Sequence, residues 1–265
     1  IDHCAAVPWF LTQTNFEGKC YMTTLTKAIF KILLQDYVRV SSGNSNDQSL
    51  FNKIDLDNCI PKITPANFRQ VITYNGIKIT CYRAGHVLGA CMWMIDIDGV
   101  RILYTGDFSL EDERHLKGAE IPPVSPDVLI IESTHGITRN EPRADREYRF
   151  KDYVTKIVER GGRCLIPIFA LGRVQELLLI LEEYWDSNPK LQKIPIYFGS
   201  NLTRKSMSVY NAFEATLNDT PILGNKRFDF KYIQYIKNVD EIDDSLSCVV
   251  LAAPAMLQNG MSRTL

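Results

Sequence analysis

The spacing of apolar positions changes along the chain, and each change predicts an element. Cys20–Thr23 is a short run of strand character. Downstream, Ile29, Ile32, Leu33 and Tyr37 fall at helical spacing and predict a helix over Thr26–Val38 with those residues on its apolar face. Ser41–Ser49 has nothing to bury and reads as a polar loop. Two strand pairs follow, Val71–Tyr74 with Ile77–Tyr82 around Asn75-Gly76, and Cys91–Ile97 with Val100–Tyr104 around Asp98-Gly99. Both dipeptides accept the positive φ angles of a tight hairpin turn. The apolar run Val128–Glu132 predicts a buried strand that closes this half.

Beyond it the pattern alternates between strand and helix. Glu141–Arg160 reads as a helix stopped by Gly161-Gly162, then come a strand at Cys164–Phe169, a helix at Arg173–Trp185 and a strand at Ile194–Phe198. A helix over Thr203–Leu217, a strand at Cys248–Ala252 and a helix beginning near Ala255 complete the series. Such alternation implies a mainly parallel sheet covered by helices, hence an α/β class. The change of character between Gly136 and Pro142 predicts two domains, 1–136 and 137–265.

Composition narrows the function classes. With 265 residues, a net charge of −1 and 45% hydrophobic residues, the chain has no bulk positive field to draw in a polyanion. A polyanionic partner would need local positive charge or a bound cation. The cysteines, seven in number and without a CxxC, suggest reduced thiols in the cytosol or nucleus, not a disulfide framework or a thiolate zinc site. No apolar run reaches the ~18–20 residues that cross a bilayer. The first residue is Ile1, not Met, so the stretch is expected to be part of a longer protein.

The four histidines can be weighed singly. His86 lies in "RAGHVLGAC", Asp107 in "ILYTGDFS" and Glu132 in "LIIESTHG", each beside an apolar strand and among small residues. Loops at strand ends are where a rigid sheet presents chemistry. Asp2, His3, His86 and Asp107 together offer oxygen and imidazole donors without thiolate, a set suited to zinc in an open, catalytic arrangement. Turn-forming for Asp107 and simple hydrogen bonding for each histidine are the competing readings. His115, in "EDERHLKGAE", reads as a surface residue.

At these residues the chain resembles a known family. "DH" before small residues and Pro, "AGHVLGA", "LYTGDFS" and "IIEST" are similar to successive motifs of the metallo-β-lactamase fold. "GRCLIPIFALGRVQELLLILEEYW" resembles the appended β-CASP domain, in the branch that cuts pre-mRNA before the poly(A) tail is added. The resemblance implies part of an αββα sandwich joined to a β-CASP domain. It implies two zinc ions, with Asp107 shared, His86 on the first and Asp2 with His3 on the second. It also implies Glu132 as the carboxylate that orients a later histidine, and Asp2, Asp107 and Glu132 as the catalytic acids. Further histidines are expected upstream and downstream, so this stretch alone is expected to hold one zinc or none tightly and to cleave little. The implied partners are pre-mRNA and the other subunits of the cleavage and polyadenylation complex, in the nucleus and without a membrane.

If RNA is the substrate, Arg173, Arg204 and Lys205, which open helices after strands, are candidates to hold its phosphates. Tyr197, Phe198, Tyr210 and Phe213 read as core and not as a stacking surface. Thr24, Arg83, His135, Ala253 and Ala255 depart from residues common in the family. A non-catalytic scaffold paralogue, a nuclease acting on DNA and a small-molecule hydrolase share the fold, and fold alone does not separate them.

Overall fold

Pro8 stands in the first turn of helix α1 (Val7–Gln13), where its missing N–H leaves no helical hydrogen bond unmade. The computed structural model describes residues 3–41, 49–213, 228–243 and 245–265. Strand β1 (Cys20–Thr23) runs into helix α2 (Thr24–Ser41). Asn52 then caps α3 (Lys53–Cys59) reciprocally with Asp55, a one-turn helix spans Ile60–Lys62, and β2 (Ile63–Ala66) pairs with β1 in parallel. Leu11, Phe30, Leu34, Phe51, Leu56 and Ile63 form the core of this part. The buried stripe of α2 therefore centres on Phe30 and Leu34, with Ile29, Ile32, Leu33 and Tyr37 only half-buried beside it. The expected apolar face was one helical position off centre. Of the expected polar loop, residues 42–48 lie outside the described residues.

The two hairpins form as their turn residues require. Asn75 and Gly76 have φ of 49° and 81°, Asp98 and Gly99 of 50° and 86°. Positive φ at both central residues gives a turn whose twist matches its strands. It joins β3 (Val71–Tyr74) to β4 (Ile77–Arg83) and β5 (Cys91–Ile97) to β6 (Val100–Tyr104). With β7 (Val128–Ile130) they make a sheet in the order β3-β4-β5-β6-β7, antiparallel apart from the β6–β7 pair. One face packs Tyr82, Met92, Met94 and Leu103 into a core.

Strand β7 corrects an expectation. It ends at Ile130, short of Glu132, and it is exposed, with Leu129 at 52%. The apolar run is real, but among the described residues β7 pairs only with β6 and so forms a sheet edge. A continuous apolar run marks a strand made to be covered, and periodicity alone does not say which layer does the covering.

The chain divides after Ser133 into two units. In the second, helix α4 (Arg143–Glu159) starts after Pro142 and stops at Arg160, where Gly161 takes a φ of 82°. Then come β8 (Arg163–Pro167), α5 (Arg173–Asp186), β9 (Ile196–Gly199), α6 (Asn201–Ala212), β10 (Ile233–Tyr235), β11 (Cys248–Ala252) and α7 (Gly260–Thr264). Their four strands are all parallel, in the order β10-β9-β11-β8. Every residue of β9 and β11 is buried, as central parallel strands require. Trp185 is fully buried, its indole N–H donating to the Ile194 carbonyl at 2.9 Å.

Two boundaries moved. Helix α6 begins at Asn201, because Ser200 accepts the N–H of Thr203 as its cap; residues 214–217 of the expected helix lie outside the described residues. The helix expected from Ala255 starts at Gly260 instead. The intervening segment folds back, so that the N–H and hydroxyl of Ser262 donate to the carbonyls of Ala253 and Pro254.

Candidate metal centre

His86 is held on a strained loop. Strand β4 ends at Arg83 and β5 begins at Cys91, and residues 84–90 turn between them. Gly85 and His86 both have positive φ, 65° and 60°. For a non-glycine residue that conformation costs on the order of 1 kcal/mol and persists only where neighbours enforce it. Here they do. Ala84 N–H donates to Ala90 O at 3.0 Å, and Ser109 N–H to Ala84 O at 2.9 Å. The Gly89 carbonyl accepts both Thr23 Oγ1 at 2.8 Å and Thr26 Oγ1 at 2.9 Å. A Cβ on Gly85 would stand 2.5 Å from Ser109 O, and one on Gly89 2.6 Å from Thr26 N. Small residues are therefore required here by close backbone approach.

Asp107 leaves the end of β6 past Gly106, whose φ is 56°. Thr105 fixes this exit from both sides: its N–H donates to Ile130 O at 3.0 Å, and its hydroxyl to Gly106 O at 2.8 Å. The same hydroxyl oxygen accepts the N–H of Glu132 at 3.4 Å. Because β6 and β7 are parallel, Asp107 and Glu132 emerge at the same edge of the sheet. Thr105 escaped the sequence reading, although its place in "YTGD" beside the strand end was the available signal.

These supports converge three side chains. His3 Nε2 lies 3.1 Å from Asp107 Oδ2, and His86 Nε2 lies 3.9 Å from the same oxygen. All three side chains are substantially open to solvent. Four donors around zinc at about 2.0–2.1 Å in a tetrahedron stand roughly 3.3 Å apart, and the two observed spacings bracket that value. The donors are nitrogen and oxygen without thiolate and face solvent, a donor set that suits zinc in an open position, with each histidine nitrogen paired to Asp107. Asp2 lies outside the described residues.

His115 overturns its reading as a surface residue. It is 0% exposed, with Nδ1 3.7 Å from Glu113 Oε2. The polar letters around it, "EDERHLKG", hid a loop folded tightly on itself: Glu113 N–H donates to Leu116 O at 2.7 Å, and Gly118 N–H to Asp112 at 2.8 Å. Thr24 donates to Asn67 Oδ1, and the backbone N–H of Arg83 donates to Glu120.

In the second unit, Arg173 is the first residue of α5, and Arg204 and Lys205 lie in the first turns of α6; all three are exposed. Both helices follow strands of one parallel sheet, so both N-termini stand at its carboxyl edge. The Arg204 guanidinium lies over the Tyr235 ring, 4.6 Å from its centroid. Tyr197, Phe198 and Tyr210 are buried and Phe213 is half-buried. Phe198 and Tyr210 are almost inaccessible, which leaves them no face for a stacked base.

A metallo-β-lactamase superfamily domain model matches residues 3–130, and a β-CASP domain model matches residues 174–265. The cleavage and polyadenylation specificity factor subunit 3 of Dictyostelium discoideum is 53% identical over the whole of this chain, which covers 35% of that protein. The cleavage and polyadenylation specificity factor 73 of Drosophila melanogaster is 50% identical, with 39% of it covered. The endoribonuclease YSH1 of Yarrowia lipolytica is 46% identical, with 33% of it covered. The chain thus spans about a third of the length of these curated relatives.

Proposed function

The chain joins a metallo-β-lactamase superfamily domain to a β-CASP domain, and on that premise we propose that it is the central part of a zinc-dependent endoribonuclease that cleaves pre-mRNA at its 3′ end. The observation that carries the reading is the placement of His3 and His86 around one carboxylate oxygen of Asp107. Relatives named as an endoribonuclease and as subunits of a cleavage and polyadenylation factor support the RNA substrate and a complex of several subunits. Pre-mRNA processing places the work in the nucleus. No helix among the described residues is long and apolar enough to cross a membrane.

In this reading Asp107 would be shared by two zinc ions, His86 would hold one, and Asp2 with His3 would hold the other. Bound there, the cations supply Lewis acidity that makes water a nucleophile near neutral pH and offsets charge on the phosphate. The protein's own contribution is placement. The Thr23 and Thr26 hydroxyls and Ser109 N–H fix the loop that aims His86, and Thr105 fixes the exit of Asp107. Glu132, at the neighbouring strand end, supplies the carboxylate that orients the proton donor for the leaving oxygen. Arg173, Arg204 and Lys205 hold backbone phosphates, contacts that position a strand without reading its bases.

The test compares matched RNA and DNA oligonucleotides incubated with the complete protein, with and without a zinc chelator. Cleavage of RNA that stops on chelation and returns with zinc is expected. Preferential cutting of DNA, or RNA cleavage indifferent to the chelator, overturns the reading; absence of any cleavage by the zinc-loaded complex favours a scaffold role.

A further inference from the structure

Phe169 follows β8 and is 66% exposed, yet the chain on either side of it is fixed. Ile168 N–H donates to Ala252 O at 2.9 Å, which ties the residue ahead of Phe169 to the end of β11. The hydroxyl of buried Thr203 donates to Ala170 O at 2.6 Å, which ties the residue behind it to α6. Gly172 then turns into α5 with a φ of 95°. The ring is displayed between two anchors and is not the loose tip of a loop.

Exposure alone is common among the apolar residues of this chain and decides nothing. What sets Phe169 apart is its company. Strands β9, β11 and β8 lie side by side and parallel, so the residues that follow them emerge on one edge. Phe169 and Arg173 follow β8, exposed Met256 follows β11, and Arg204 and Lys205 follow β9. All three cations are exposed, and the segments 168–173, 200–205 and 253–259 hold no Asp or Glu. An open aromatic face and a local excess of positive charge therefore share this edge, in a chain whose net charge is −1.

Single-stranded nucleic acid is held by this combination, cations taking the phosphates and a ring taking the face of a base. Apolar surface on a protein partner could also cover a phenyl ring, but three cations without a neighbouring acid favour a polyanion. We propose that Phe169 stacks an unpaired base of the bound RNA and so favours single-stranded over duplex substrate. The ring has no hydrogen-bonding group, so it accepts any of the four bases. It does require one that is free to leave its neighbours, and a base inside a helix is not. This role rests on the RNA reading above and deepens it: Arg173, Arg204 and Lys205 hold the backbone, and Phe169 adds the contact that a duplex cannot make.

The experiment uses the complete protein carrying D107A, so that bound RNA stays intact. Single-stranded RNA oligonucleotides with 2-aminopurine at successive positions are titrated while fluorescence and anisotropy are followed. Stacking on the ring should quench the probe at one position. F169A is expected to lose that quenching and to bind at least about fivefold more weakly. F169W should restore both, whereas F169L, apolar but without a ring, should restore neither. A duplex of the same sequence should bind the parent and F169A alike. The urea midpoint of F169A should match that of the parent, because the side chain is exposed; a lowered midpoint would make the ring part of the packing and overturn the proposal. If the parent binds no RNA, the substrate reading falls and this role with it. If the parent binds RNA and F169A or F169L binds and quenches equally well, the stacking role alone is overturned. An F169A defect confined to assembly with other subunits overturns it too.

Discussion

His3 Nε2 and Asp107 Oδ2 lie 3.1 Å apart, although 104 positions separate the two residues. The strained turn that carries His86 brings a second ring nitrogen to within 3.9 Å of the same oxygen. A carboxylate so placed, and partly exposed, packs no core, so its removal should act on chemistry and not on folding. In the complete protein D107A is expected to lower RNA cleavage by at least ~10²-fold, since a metal site contributes several kcal/mol to the transition state. Stability should change by no more than about 0.5 kcal/mol, as for other exposed positions. Cleavage assays and denaturant titration of the same preparation check both halves; retained cleavage would remove Asp107 from the shared position.

Two glycines with nearly equal φ separate steric from conformational cost. Gly76 has a φ of 81°, and a Cβ added there would meet nothing within 4 Å, so G76A should lose about 1 kcal/mol, the penalty of the left-handed conformation alone. Gly89 has a φ of 85°, but its Cβ would meet Thr26 N at 2.6 Å and Leu25 Cβ at 2.8 Å. G89A must therefore push backbone apart and should lose about 2–4 kcal/mol, because overpacking adds to the conformational term. Urea midpoints at constant slope give the comparison. Equal losses would show that the β1–α2 junction yields freely.

Much of this was legible in the sequence where one short-range rule governs. Asn-Gly and Asp-Gly placed both hairpins, and the run from Arg173 placed α5 from its first residue. What failed depended on contacts between distant positions. Nothing local in Val128–Ile131 says that the strand is an edge, and the polar neighbours of His115 say nothing of its burial. Helices α1 and α3 and strands β2 and β10 are short and were not anticipated, because three to seven residues carry too little periodicity to stand out. At the candidate site the ligand types could be read from the motifs. Of the groups that aim them, Thr23 and Thr26 are recognisable only once Gly89 lies beside them, whereas Thr105 had a local signal in "YTGD".

Thr203 ties α6 to the loop ahead of α5. It is fully buried, and its hydroxyl donates to Ala170 O at 2.6 Å and stands 2.8 Å from Ser200 Oγ. T203V keeps the shape but strips the Ala170 carbonyl of its donor, and should lose about 1–3 kcal/mol. T203S keeps the hydroxyl and should recover most of that loss. Thermal unfolding of the two variants is the check, and a T203V as stable as wild type would show that the carbonyl finds another donor.

Glu182 gives stability a pH dependence whose sign can be worked out. Its carboxylate accepts the N–H of Lys231 at 2.6 Å and of Tyr232 at 3.2 Å, anchoring the approach to β10. Burial nevertheless outweighs these donors and holds the carboxyl above its usual range. With the folded value above the unfolded one, the native state binds more protons between the two, so stability falls as pH rises through that window and levels off above it. In E182Q the amide oxygen can accept both N–H groups, since Oε1 alone already lies 2.6 Å and 3.3 Å from them, and nothing at this position titrates. The variant should therefore gain on wild type as pH climbs from the ordinary carboxylate value through the raised folded one. Urea titrations of both proteins at several pH values give the difference directly. A constant difference across that range would show that Glu182 has the same affinity for its proton in the folded and unfolded chains.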